Sequence, residues 1–177
     1  VIENCLEALD MPGEWYLDRK QGRLYFMPQP GDDPNDSEFV APVLRELLVF
    51  KGNPAQEQVV QHVHLRGLSF EHADWHIADR GRADGQAAIW LSGAVFGRGM
   101  TRCSLEDCTV AHVGTYAVWL ERGCRDNAIR RCELHDLGGG GVKIGETCTV
   151  TDARLATAHN VVDNCYIHDG GQVFPAG

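Results

Sequence analysis

Two His-Asp dipeptides, His135-Asp136 and His168-Asp169, close two copies of one phrase, Cys132-Glu-Leu-His-Asp and Cys165-Tyr-Ile-His-Asp. Paired carboxylates are the groups that cleave glycosidic bonds: one protonates the departing oxygen, and the other attacks the sugar or activates water. If the two phrases stack as neighbouring strands, Asp136 and Asp169 stand about 5 Å apart, the separation of retaining enzymes and shorter than inverting ones need. Two acids that close repel, so one pKa rises and the other falls, which separates donor from base. His135 and His168 then sit beside them, placed to orient substrate or tune the acids. The same placement also suits a ladder of carboxylates that only hold turns, and both readings stand on these residues. Zinc needs three or four converging nitrogen or sulfur ligands. Here the cysteines are expected to face inward and the histidines outward, so neither a metal site nor a cofactor is expected.

Something must hold such phrases one above another. The pattern returns as Leu65-Arg-Gly-Leu68-Ser-Phe70, Leu105-Glu-Asp-Cys108-Thr-Val110, Ile129-Arg-Arg-Cys132-Glu-Leu134 and Val162-Asp-Asn-Cys165-Tyr-Ile167, with an earlier copy at Leu44-Arg-Glu-Leu47-Leu-Val49. Within each copy the apolar residues alternate, the period of a strand with one buried face. A second strand is expected after each turn, at Ala88–Leu91, Ala117–Leu120 and Gly141–Ile144. Cys108 to Cys132, Val118 to Val142 and Cys124 to Cys148 are all 24 residues apart, so three columns share one period. A repeat of roughly 21 to 24 residues whose units cannot bury their apolar face alone describes a solenoid. The expectation is an all-β chain, a right-handed parallel β-helix of at least five coils. Its insertions fall at residues 73–85, 97–101 and 146–159.

Trp90 and Trp119 fall on the outward position of the expected second strands, with Lys143 next in the column and Tyr166 outward in the last phrase. Stacked aromatics on an outer face suit a sugar ring, although packing under a loop satisfies them equally. These four are the candidate substrate contacts. The run Gly138–Gly141 lacks the spacing of a nucleotide-binding loop and reads as a tight corner where backbones meet. Seven cysteines are present. Cys108, Cys132 and Cys165 read as a reduced, inward ladder, while Cys124 and Cys148 could approach disulfide distance across one coil.

The first 37 residues differ in kind. Trp15-Tyr-Leu-Asp18 and Arg23-Leu-Tyr-Phe26 around a Gly-containing turn read as a β-hairpin, followed by a Pro-, Gly- and Asp-rich linker. Residues 38–177 are then the β-helix, expected to be cut at its C-terminal end. Of 177 residues, 44% are apolar and 23% charged, which is globular composition. A net charge of −9 with no basic stripe argues against nucleic acid as a partner. No apolar run is long enough for a membrane span, and no leader opens the chain.

Pro12-Gly-Glu-Trp-Tyr-Leu-Asp18, Gly22-Arg-Leu-Tyr-Phe-Met-Pro28, Cys132-Glu-Leu-His-Asp-Leu-Gly-Gly-Gly-Gly141 and His168-Asp-Gly-Gly-Gln-Val-Phe-Pro-Ala-Gly177 together resemble secreted bacterial β-helix proteins of the glycoside hydrolase family 141 type. That resemblance implies a hydrolase of the fucosidase or xylanase kind, acting on plant polysaccharides or oligosaccharides in an extracellular or periplasmic setting. It also implies further coils beyond Gly177. Two other functions use the same scaffold. A polysaccharide lyase would need an acidic calcium cluster and a base such as Lys143 or Arg131. A non-catalytic carbohydrate-binding or structural solenoid would rely on Trp90 and Trp119 alone.

Overall fold

Short strands with one apolar face are stable only when that face is covered, and stacking coils covers it while completing the ladder hydrogen bonds of every strand but the outermost. The computed structural model describes residues 5–76 and 87–175. The chain divides into two compact units after Val40. In the first, β1 (Trp15–Asp18) and β2 (Arg23–Phe26) form an antiparallel hairpin with Tyr16 opposite Tyr25 and Leu17 opposite Leu24. The Asp18 carboxylate closes the turn by accepting from the backbone N–H groups of Lys20 and Gln21 at 2.9 and 3.0 Å. Phe39 packs edge-on against Phe26, with ring centroids 5.3 Å apart.

In the second unit the described residues trace four coils. The first holds β3 (Leu48–Lys51), β4 (Val60–Gln61), β5 (His64–Arg66) and β6 (Ser69–Ala73). The second holds β7 (Gly93–Arg98), β8 (Met100–Thr101), β9 (Ser104–Glu106) and β10 (Thr109–Val113). The third is β11 (Tyr116–Leu120), β12 (Ala128–Arg130) and β13 (Glu133–Leu137), and the fourth β14 (Val142–Ile144), β15 (Val161–Asp163) and β16 (Tyr166–Ile167). Corresponding strands pair in parallel to make three walls: β3-β7-β11-β14, β5-β9-β12-β15 and β6-β10-β13-β16. Val95, Val118 and Val142 stack on the first wall, Leu105, Ile129 and Val162 on the second, and Val110, Leu134 and Ile167 on the third. Leu134 and Val118 are fully buried where these columns meet. Leu134→Ala there removes apolar contacts with no room to collapse, at a cost of about 3 kcal/mol.

The bends between walls obey a rule that alternation does not reveal. Every coil has left-handed backbone at three non-adjacent residues spaced five apart: His62, Gly67 and His72; Arg102, Asp107 and His112; Asp126, Arg131 and Asp136; His159, Asn164 and Asp169, all with φ between 48° and 66°. For a side-chain-bearing residue this conformation costs roughly 1–2 kcal/mol, and Asn, Asp and His accept it more readily than others. The cost is repeated coil after coil because each bend turns the next strand onto the next wall.

Two sequence expectations shift. Leu44–Val49 is not a coil of its own: Leu48 lies opposite Val95 and Val49 opposite Phe96, so this copy is the first-wall strand of coil one. Ala88–Leu91 is not a second strand either. Residues 87–90 form a turn, with Ala87 and Ala88 at φ 52° and 43°, and the strand starts only at Gly93. Phe96, not Trp90, therefore sits opposite Trp119. Both misplacements have one cause: every wall demands the same alternation, so a short apolar run does not say which wall it joins.

The corner expectation for the glycine run is met. A Cβ on Gly138 would collide with the backbone of Gly114 in the coil before, and one on Gly141 would lie 2.5 Å from the Ile167 side chain. All described cysteines carry free thiols. Cys108, Cys132 and Cys165 form the expected inward ladder, each sulfur directed at a carbonyl of the preceding coil. Cys124 and Cys148 are not joined: the Cys124 thiol turns inward to the Gly97 carbonyl at 3.2 Å, whereas Cys148 lies exposed in the insertion of coil four. Beside this ladder runs a second, polar one. The Asn127 side chain, 1% exposed, accepts from the Cys103 N–H at 3.0 Å and donates to the Met100 carbonyl and to Asn160 Oδ1, both at 2.8 Å.

Candidate functional site

The four residues singled out for catalysis lie on the third wall or at its bends. Its outward positions stack Glu71, Ala111 and His135 by strand register, with His168 next. The left-handed bend near the end of each third-wall strand falls at His72, His112, Asp136 and Asp169, one to a coil. His135 and His168 lie face to face, with centroids 5.1 Å apart and planes 9° from parallel. His72 and His112 do the same at 5.0 Å and 11°. The Leu137 N–H donates to the Asp169 carbonyl at 3.0 Å, which joins the bends of Asp136 and Asp169 across one strand spacing of about 5 Å.

The structure thus brings together the four residues singled out for catalysis and adds His112 and Glu133 beside them. His112 Nδ1 donates to Asp136 Oδ2 at 2.6 Å, so the imidazole partner of Asp136 comes from the preceding coil rather than from its chain neighbour His135. The signal was available: 112 and 136 are one 24-residue period apart. His168 does bind its own neighbour, with Nδ1 donating to Asp169 Oδ2 at 2.8 Å, while its Nε2 lies 3.4 Å from Glu133 Oε1. The adjacent Asp169 carboxylate, helped by Glu133 and opposed by partial desolvation, raises the His168 imidazole above its ordinary pKa. Tyr166, 64% exposed, stacks on the His168 ring at 4.1 Å.

The remaining candidate contacts lie elsewhere. Trp90 is 62% exposed on the 87–90 turn and is not stacked on Trp119, because the strand it was placed on begins three residues later. Trp119 sits on the first wall, edge-on to Phe96 at 5.2 Å, and its Nε1–H donates to the Gly145 carbonyl at 2.8 Å. The Lys143 ammonium lies 3.5 Å from the Trp119 ring centroid and donates to the Ile89 carbonyl at 3.1 Å and to that of Leu91. It pins the turn onto the wall. Arg131, the other base considered for a lyase, is held as a cation by Asp107 at 2.7 Å and Glu106 at 3.2 Å, which push its pKa up.

A depression of about 720 Å³ opens at another corner, lined by Lys51, Asn53, Gln58, Arg98 and Arg122 among others. Arg98 donates to Glu121 at 2.8 Å and Arg122 to Glu146 at 2.6 Å, so both guanidiniums there carry their own counter-ion. Among the described residues, no three His, Cys, Asp or Glu side chains are grouped as a metal would require, and no helix is long and apolar enough to cross a membrane.

No curated protein matches the chain. The family model described as "Right handed beta helix region" matches residues 92–176. A solved structure named "Glycoside hydrolase" is similar over 96% of this chain at 23% identity and a TM-score of 0.82. The match covers 35% of that structure's chain, so this chain spans about a third of its neighbour's length. Three parallel walls in register, closed by repeated left-handed bends, together with these likenesses, make the described residues of the second unit a right-handed parallel β-helix.

Proposed function

We propose that this β-helix is carbohydrate-active and belongs to a glycoside hydrolase that cleaves plant-type polysaccharides or oligosaccharides outside the cytoplasm, in the extracellular or periplasmic space. One observation carries the reading: Asp136 and Asp169 stand one coil apart on a single line of bends, each hydrogen-bonded to an imidazole, on an exposed face. Two carboxylate-bearing bends one strand spacing apart fit the short reach between acid–base and nucleophile that cleavage with retention needs. His135 packs on His168, and Tyr166 offers an exposed ring beside the acids for a sugar face. The name of the structural neighbour, glycoside hydrolase, points the same way. A lyase finds less support, because Arg131 is paired with acids and Lys143 is committed to carbonyls and an indole.

The test is a panel of plant cell-wall polysaccharides and oligosaccharides, with reducing-end release and ligand binding followed together. The reading expects the wild type to cut at least one of them, and Asp136→Asn and Asp169→Asn to bind that substrate while cutting it more slowly. Binding without cleavage by all three proteins, lost in Trp119→Ala, would replace it with a non-catalytic solenoid.

A further inference from the structure

The two aspartates are not in equivalent surroundings. Asp136 takes its imidazole from the coil before, leaving its second oxygen free of any hydrogen bond among the described residues. Asp169 instead caps His168, whose ring is held by three contacts: Asp169 on Nδ1, and the stacked rings of His135 and Tyr166. A carboxylate on Nδ1 fixes the tautomer and leaves the other nitrogen to exchange protons, as the base–orienter pairs of nucleophilic enzymes do. That other nitrogen, Nε2, has only a long 3.4 Å approach from Glu133, a half-exposed side chain.

Resting on the hydrolase reading above, we propose that His168, not an aspartic acid, is the proton donor of the reaction, with Asp169 as its positioning residue and Asp136 as the carboxylate that attacks the sugar. The bond between the anomeric carbon and the departing oxygen breaks, its electron pair goes to that oxygen, and the oxygen takes the Nε2 proton. Asp136 forms the new bond to the anomeric carbon. Water then cleaves this ester: its hydroxyl goes to the carbon, its proton returns to Nε2, and Asp136 leaves as carboxylate. The groups facing His168 from its own strand and its neighbour are Asp169, Glu133, His135, Tyr166 and the bend of Asp136. The acids among them favour the protonated ring, consistent with its raised pKa. Tyr166 and His135 supply the stacking that keeps it in place.

A leaving-group comparison tests this. Rates are measured on the oligosaccharide found in the panel and on the 2,4-dinitrophenyl glycoside of the same sugar, whose leaving group needs no proton. His168→Gln should lose about 10²–10⁴-fold on the oligosaccharide and less than about fivefold on the activated glycoside. Asp169→Asn should show the same selectivity to a smaller degree and move the basic limb of the wild-type kcat/KM profile to lower pH. Equal losses on both substrates, or a basic limb unmoved by Asp169→Asn, would overturn the assignment while leaving a hydrolase in place. A wild type that turns over neither substrate would overturn the hydrolase reading and this inference with it.

Discussion

Replacing Asn127 by Ala should cost the β-helix about 3 kcal/mol. Three hydrogen bonds are lost, but their consequences differ. The Met100 carbonyl keeps the Arg125 N–H at 2.9 Å, and Asn160 Oδ1 keeps the Asn127 backbone N–H at 3.2 Å, so neither is orphaned. Among the described residues the Cys103 N–H has no other acceptor, and it is buried, which costs about 1–3 kcal/mol. The two lost donor bonds add about 0.5–1.5 kcal/mol each, partly offset because the amide no longer needs to be desolvated. In a chain of this length, 3 kcal/mol lowers Tm by roughly 10 °C. Urea unfolding followed by far-ultraviolet dichroism gives the free energy, with exposed Gln58→Ala as the reference. Asn127→Asp makes a sharper case. Its second oxygen would face two acceptors, so only the protonated acid fits and its folded pKa is raised. Stability should then be retained below the unfolded pKa near 4 and fall as pH rises toward the folded value. An Asn127→Ala change within 0.5 kcal/mol of wild type, or an Asn127→Asp variant indifferent to pH, would refute the view that this ladder locks the coils.

The remaining expectations follow from single sites. Burial pushes the thiols of Cys124 and Cys132 up from 9.0 to about 11, a roughly 100-fold loss of thiolate, while Cys148 is exposed; a thiol reagent should label Cys148 within minutes and those two only on unfolding. Asp107, paired with Arg131 and Arg66, and Glu146, paired with Arg122, have lowered carboxylate pKa values. They contribute stability above the ordinary carboxylate range and lose it as pH falls through their folded values, so Tm should drop below about pH 4, and Asp107→Asn should flatten that limb. Lys143→Met removes the donor that pins the 87–90 turn to the first wall; it should lower stability by about 1–2 kcal/mol and increase proteolysis near Trp90.

Much of this fold could be read from residue spacing, because a coil period is a column of side chains. Cys108 with Cys132 and Val118 with Val142 repeat at 24 residues and do stack. Leu44–Val49 and Ala88–Leu91 misled for the opposite reason: alternation marks a strand with one buried face but carries no wall address. The five-residue spacing of His, Asp, Asn, Arg and Gly at the left-handed bends is the address, and it lies in polar residues that a hydrophobic reading skips. The candidate acids and their histidine neighbours were singled out because two of those bends hold His-Asp pairs. His112 was passed over although one period from Asp136, since its partner is remote in sequence. The placing of Lys143 beside Trp119 follows from the same 24-residue period, but its hold on the Ile89 and Leu91 carbonyls was out of reach, because the return path of an insertion is set by packing and not by local residue order.

The line of bends on the third wall is the active site we propose. Its most direct test is the initial rate of reducing-end release by the wild type and by Asp136→Asn, compared at equal folded fraction on the best polysaccharide of the panel. A fall of at least about 100-fold with unchanged unfolding midpoint is predicted, since the carboxylate that acts at the anomeric carbon would be gone. A variant that cuts at the wild-type rate would contradict the claim and reduce Asp136 to a residue that holds a bend.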